Sequence, residues 1–380
     1  MEYDASTRES SLRLVSPIAR GGREKSPNKG EFTVEQQSGL NIDLGDACSK
    51  TAYDWSKKTF VNRQGKAGMP CFKVDGAFAN MLDFQGVNIG ISSDGIGTKI
   101  ELAERTGIYH TLGFDLMAMI IDDLVAGGFE PTTLSNIIDV DILDADIIDQ
   151  MMRGLHDAAN EAGVAISGGE IAELGARIGG YGARMHFNWC ATGIGILHSR
   201  LNAPIDGSAV TVGDAVMAFQ SRGFRSNGFS LLRRIMQAQF GDEWHAAKYD
   251  DARTWGEALL TPSRIFAPMI CALLSAGIDI HGIAHITGGG IIGNFERVTK
   301  VNRVGALLDN LFPPLDMMQK VIALGNVAAE SAYRYWNMGN GMLFVVNPSE
   351  VETVAKLAQQ RGYNARRVGT ITPEPGVRIV

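Results

Sequence analysis

The chain has 380 residues, is 45% hydrophobic and 20% charged, and carries a formal net charge of −7. At about 150 residues per domain this predicts two or three domains with a large core, so neither disulfide staples nor a structural metal is needed for folding. The acidic balance argues against a protein that coats nucleic acid. No apolar stretch reaches the ~20 residues of a membrane span; residues 265–278 come nearest and contain Pro268 and Gly277.

Residues 1–38 are polar and aperiodic, and a flexible arm is expected there. They lack a continuous apolar signal core, because Arg13, Ser16 and Pro17 interrupt residues 12–18. Cys48, Cys71, Cys190 and Cys271 form no CxxC pair and read as reduced thiols, so a cytoplasmic location is expected. Regular structure should begin near Ile42. An apolar run over 87–92 predicts a strand that ends in Ser93-Asp94-Gly95. Residues 115–126 have helical spacing, with Leu116, Met119, Ile120 and Leu124 at three- and four-residue steps, and Gly127-Gly128 stop it. A second helix is expected over 147–162, then a short buried strand over 164–166 that leads into a Gly168-Gly169-Glu170 loop. Another strand covers 189–197. Residues 202–214, with Pro204 and two glycines, mark the expected boundary between a first domain, 39–203, and a second, 204–380. In the second, strands over 216–219, 342–346 and 365–371 alternate with helices over 229–239, 262–276 and 348–362. The alternation predicts an α/β (α+β) layer in each half.

The strongest chemical signal is electrostatic. No Lys or Arg occurs between Thr106 and Met152, yet nine acidic residues do. Asp144, Asp146 and Asp149 suit the N-terminus of the following helix. Asp115 and Asp122 are seven residues apart, which puts them within about 20° of each other on a helix. Asp123 is rotated from that line toward the apolar face, where a carboxylate is costly unless paired or bound to a cation. With no cationic neighbour in sequence, Mg²⁺ is its natural partner; a distant Lys or Arg is the alternative. Asp94 lies in Ser93-Asp94-Gly95-Ile96-Gly97-Thr98-Lys99, which combines a carboxylate, exposed N–H groups and a lysine, as binding of a polyphosphate with Mg²⁺ requires. This loop matches neither GxxxxGK[ST] nor GxGxxG. Glu170, in a second glycine stretch, completes a candidate metal set of Asp94, Asp123 and Glu170. In the second half, Ser226-Asn227-Gly228 and Thr287-Gly288-Gly289-Gly290 are small polar loops before helices, suited to an anion. Arg222 and Arg225 flank the first, and His285 adjoins the second.

At these residues the sequence resembles the phosphoribosylformylglycinamidine cyclo-ligase, or aminoimidazole ribonucleotide synthetase, family. The ordered motifs run from Gly39-Leu40-Asn41-Ile42-Asp43 through Asp94-Gly95-Ile96-Gly97-Thr98-Lys99 and Gly113-Phe114-Asp115-Leu116 with Asp122-Asp123-Leu124. They continue through Gly168-Gly169-Glu170, Ser226-Asn227-Gly228-Phe229, Thr261-Pro262-Ser263-Arg264, Ala284-His285-Ile286-Thr287-Gly288-Gly289-Gly290 and Trp336-Asn337-Met338-Gly339-Asn340-Gly341. The resemblance implies a two-domain fold. The N-terminal sheet domain would pair across a homodimer and hold ATP and Mg²⁺ near the interface, and a C-terminal α/β domain would close over the cleft. It implies ATP-dependent ring closure of formylglycinamidine ribonucleotide, with Lys99, Asp115 and His285 as catalytic candidates. Gly76, Asp94, Gly95, Gly97, Thr98 and Lys99 would contact ATP, and Arg225, Ser226, Asn227, Thr287, Gly288 and Gly289 the ribonucleotide. The chain departs from the family at Gln36 and Gln37, where a lysine is usual, at Val74-Asp75-Gly76-Ala77, where a glycine-rich loop is usual, at Arg225, where His is usual, and after Glu170. These departures bear on the substrate more than on the chemistry. A diverged relative that phosphorylates another amide or small phosphorylated metabolite, or a nucleotide-binding protein without turnover, are the alternatives.

Overall fold

The computed structural model describes residues 42–70 and 78–380. Gly76 and the 1–38 segment lie outside the described residues. Helix α1 (Ile42–Lys58) is followed by strands β1 (Met69–Pro70), β2 (Asn80–Asp83) and β3 (Asn88–Gly95), then by helices α2 (Ile100–Thr106) and α3 (Leu112–Ala126). Next come β4 (Phe129–Val140), α4 (Ala145–Ala162), β5 (Ala165–Glu173) and β6 (Phe187–Leu197). These strands form one sheet in the order β1-β2-β3-β6-β4-β5. Only its β4–β5 pair is parallel.

The remaining elements are β7 (Ala215–Gln220), α5 (Phe229–Phe240), α6 (Trp255–Leu259), α7 (Ala267–Ser275), β8 (Ile280–His285), α8 (Gly290–Thr299) and β9 (Gly305–Leu308). They continue with α9 (Asp316–Gly325), α10 (Ala329–Tyr335), β10 (Asn340–Val346), α11 (Val351–Gln360), β11 (Ala365–Thr372) and β12 (Gly376–Ile379). Their strands form a second sheet, β12-β9-β11-β7-β10-β8, in which β12–β9 is the parallel pair. β10 is buried along its whole length.

Helix α3 is the hinge piece of the architecture. Its residues are buried almost all round, because one side covers the first sheet and the other meets the second domain. A helix apolar on nearly every face belongs between layers. Its neighbour α4 starts on Asp144, whose carboxylate accepts from the N–H groups of Asp146 and Ile147. The two helices approach backbone to backbone. A Cβ at Gly154 would stand 1.7 Å from the His110 carbonyl oxygen, so only glycine fits there. The apolar core runs without a break from α3 into the second domain.

Two expectations change. Gly168-Gly169-Glu170 is not a loop after a buried strand; it lies inside β5, an exposed edge strand paired with β4. The small residues, which read as a turn, lie flat beside Ser135 and Asn136. The helix expected over 262–276 is only Ala267–Ser275, because N–H groups ahead of it are bonded to carboxylates of α3. The first sheet buries Phe187, Trp189 and Ala191 on its helix side, whereas Ile137, Ile194 and Ile196, with Ile166 and Ile171 of β5, are exposed.

Candidate active site

Asp115 and Asp122 share one face of α3, as their spacing predicts, and both are fully buried against the second domain. Lys99 Nζ is 2.7 Å from Asp115 Oδ2, donates to the Thr261 carbonyl at 3.3 Å and sits over the Phe229 ring. The other Asp115 oxygen accepts from the backbone N–H and hydroxyl of Ser263. Two turns on, Asp122 Oδ1 accepts from the N–H groups of Phe266 (2.8 Å) and Ala267 (2.9 Å). Asp122 therefore caps α7 from the opposite domain. Its Oδ2 accepts from Arg225 Nη2 at 2.7 Å. This corrects two sequence readings. Lys99, 0% exposed, is an interdomain strut and not a point charge offered to ATP. Asp115 is its buried counter-ion and has no access to a reacting group.

His285 ends β8 and is 0% exposed. Its Nε2 lies 2.8 Å from Arg225 Nη2 and its Nδ1 lies 2.7 Å from Asp123 Oδ1. Burial first, then the charge of Arg225, pushes its pKa down to about 3. With both ring nitrogens engaged inside the protein, His285 is not placed to exchange a proton with a substrate. Arg225 likewise points inward and away from the ribonucleotide side assigned to it. Asp123 keeps 16% of its side chain exposed. Burial raises it to about 7, against the opposing charges of Arg297 and Arg225. Asp94 is raised to about 6, chiefly by burial and further by the charge of Asp123, while the Gly95 N–H opposes the shift. Neither Asp94 nor Asp123 has a Lys or Arg ion pair among the described residues.

Asp94 leads into Gly95-Ile96-Gly97-Thr98. The Gly95 N–H bonds Asp94 Oδ1 at 2.7 Å, and the Thr98 hydroxyl reaches Ser230 at 3.3 Å, linking this loop to α5. A concavity of about 270 Å³ runs past Asp94 and is lined also by Ser93, Ser135, Ile137, Cys190 and Thr192. From the second domain, Ser226-Asn227-Gly228 faces Thr287-Gly288-Gly289: a Cβ at Gly288 would lie 3.8 Å from Asn227 Nδ2. The Ser226 hydroxyl and the Asn227 side-chain oxygen are buried without a hydrogen-bond partner among the described residues. Such atoms are open to a hydrogen bond from a ligand or a water molecule. Asn294, which the sequence reading did not single out, holds the second loop by donating to the carbonyls of Gly288 (3.1 Å) and Gly290 (2.8 Å). Arg297, one turn along α8, is a further omission. Neither residue had a local signal beyond a helix after a glycine loop.

Two partly buried carboxylates, close enough for the charge of one to act on the other and without a Lys or Arg ion pair among the described residues, suit a hard divalent cation. Asp94 and Asp123 meet that description. Glu170 does not join them. Asp94 is in register with Ala191, Ala191 with Asn136, and Asn136 with Gly169. Glu170 thus lies three strands away, about 14 Å at the usual interstrand spacing. Among the described residues no three His, Cys, Asp or Glu side chains gather as a metal site.

The matched families place this architecture. Residues 76–195 match the family described as "AIR synthase related protein, N-terminal domain", and residues 211–380 match its C-terminal domain. The chain belongs to the AIR synthase-related family. It is 33% identical over 343 residues to the phosphoribosylformylglycinamidine cyclo-ligase of Thermococcus kodakarensis, covering 90% of this chain and 96% of that one. It is 34% identical over 342 residues to the enzyme of the same name from Methanothermobacter thermautotrophicus, covering 88% and 93%. Among solved structures, thiamine-monophosphate kinase from Stenotrophomonas maltophilia superposes with a TM-score of 0.58 at 14% identity, covering 85% of this chain and 94% of that one. The HypE–HypF complex gives 0.57 at 16% identity, covering 79% and 88%. These two likenesses concern the fold.

Two outcomes follow from the buried charges. Replacing Lys99 with Met leaves Asp115 uncompensated, and urea unfolding should show a loss of about 3–5 kcal/mol; the double variant K99M/D115L should recover most of it. For Asp123 the folded-state pKa is raised from 3.8 to about 7. The stability linked to its protonated form is complete below the unfolded value and lost as pH rises through about 7. Asp123→Asn, without added cation, should melt several degrees above the parent at pH 8 and level with it near pH 4. Calorimetry across that range checks it, and a pH-independent difference would contradict the buried-charge account.

Proposed function

We propose that this chain is an ATP-dependent cyclo-ligase that converts formylglycinamidine ribonucleotide to aminoimidazole ribonucleotide with release of ADP and phosphate, a step of purine biosynthesis. The observation that carries this reading is the uncompensated carboxylate pair, Asp94 and Asp123, in a chain that spans nearly the whole length of relatives named for that activity. In this reaction the formyl amide oxygen takes the γ-phosphoryl group of ATP. The amidine nitrogen then attacks the same carbon, and the C–O bond breaks as phosphate leaves. An amide oxygen is a poor leaving group until it is phosphorylated.

Asp94 and Asp123 would hold Mg²⁺, which when bound neutralises charge on the transferring phosphates. The N–H group of Gly97 and the hydroxyl of Thr98 would be the phosphate donors at the turn after β3. Ser226, Asn227, Thr287, Gly288 and Gly289 would hold the ribonucleotide, which supports the unpartnered Ser226 and Asn227 atoms. Holding the amidine against the activated carbon makes ring closure intramolecular.

The departures from the family at residues 74–77 and after Glu170 favour a second reading: a relative that activates a different amide. Incubation with ATP, Mg²⁺ and formylglycinamidine ribonucleotide should release ADP and form the aminoimidazole, and Asp94→Asn should lower turnover at least about 100-fold. If ADP appears only with other formamides or ribonucleotides, the second reading stands and the first does not.

The protein is proposed to act as a homodimer in the cytoplasm, paired through the open face of its first sheet. Ile194 and Ile196 are exposed there on β6, and Ile137 is exposed farther along the same sheet on β4, opposite Cys190; monomers rarely leave a large apolar patch to water. The free thiols of Cys48, Cys190 and Cys271 suit a reducing compartment. No described helix is long and apolar enough to cross a membrane. Light scattering should give twice the chain mass for the parent and the chain mass for Ile194→Asp; a dimer that survives the substitution would place the contact elsewhere.

A further inference from the structure

We infer that Arg225 is a positioning residue: its guanidinium sets the tautomer of His285, and His285 in turn holds Asp123 with one carboxylate oxygen engaged and the other left to the cleft. A guanidinium has donors only. The 2.8 Å contact between Arg225 Nη2 and His285 Nε2 therefore requires Nε2 to accept, so that nitrogen carries no proton. A neutral imidazole then bears its proton on Nδ1, which donates to Asp123 Oδ1 at 2.7 Å. Among the described residues no donor reaches the second oxygen of Asp123.

Arg225 is itself held on several sides. Nη2 also donates to Asp122 at 2.7 Å, Nη1 donates to the Arg264 carbonyl at 3.1 Å, and the group stacks over Phe266 at 4.9 Å. Its backbone has φ +63°, in the left-handed region that a side chain other than Gly, Asn or Asp rarely adopts. That strain is tolerated where surrounding contacts impose it. The next two residues are Ser226 and Asn227, with their unpartnered polar atoms. One residue thus ties the loop on the ribonucleotide side to the carboxylate on the nucleotide side.

The consequence for nucleotide binding rests on the cyclo-ligase reading; the tautomer does not. Long-range ¹H–¹⁵N correlation on the ¹⁵N-labelled full chain, with the His285 signals assigned by loss in His285→Gln, should show protonated Nδ1 and unprotonated Nε2 at neutral pH. In Arg225→Met that pattern should collapse toward the Nε2–H form. Calorimetry with Mg²⁺ and a non-hydrolysable ATP analogue should show affinity about 10–100-fold weaker, as for loss of a group that orients a ligand. Arg225→Lys, also a donor only, should restore the tautomer and covers the case in which the Met variant does not fold. An unchanged tautomer in Arg225→Met, or an Nε2–H form in Arg225→Lys, overturns the inference. A changed tautomer with unchanged nucleotide affinity overturns the link from His285 to Asp123. If the parent itself binds no Mg²⁺–nucleotide while the tautomer depends on Arg225, the cyclo-ligase reading fails and the hold of Arg225 on His285 stands.

Discussion

Asp122 is a carboxylate with no water around it, and the second domain is arranged so that it needs none. A charge taken out of water must recover its hydrogen bonds from the protein or the fold loses several kcal/mol. Asp122 recovers them from the two N–H groups that open α7 and from Arg225. A helix start is the best place in a protein to find such donors, because its first N–H groups have no partners of their own. Two turns earlier, Asp115 does the same with Lys99 and Ser263. The spacing of the two carboxylates along α3, about 10 Å, fixes how the domains meet, and so fixes the cleft between them.

The contrast with Asp94 and Asp123 is the chemically informative one. All four aspartates lie in or beside the same interface, yet among the described residues only Asp115 and Asp122 have a Lys or Arg ion pair. A burial cost that structure could have removed with one more arginine, and did not, is characteristic of a functional site. The strained backbone of Arg225 and the unpartnered atoms of Ser226 and Asn227 fall in the same region.

The fold alone would not identify the reaction. Chains of the same architecture at 13–18% identity include thiamine-monophosphate kinases and hydrogenase maturation proteins, so one scaffold serves several chemistries. In this chain the loops at the cleft are Ser226 to Gly228, Thr287 to Gly290 and the turn after Asp94, each held by a side chain outside it: Trp336 against Gly228, Asn294 on the Gly288 loop, Ser230 on Thr98.

Periodicity made α3 legible, together with the shared face of Asp115 and Asp122, because helical spacing is a local property of the chain. The two-layer grammar and the glycine loops before α5 and α8 were legible for the same reason. The stretch Gly168-Gly169-Glu170 misled, since small residues mark turns and flat edge strands alike, and only pairing with β4 distinguishes them. Asp122 and Asp123 find their partners more than a hundred residues away in sequence, and Arg225 meets His285 across sixty residues. No window of the sequence records which carboxylate meets an arginine and which is left without one; that is decided when α3 is pressed between two domains, where water is excluded and every charge must find whatever donors the neighbouring backbone supplies.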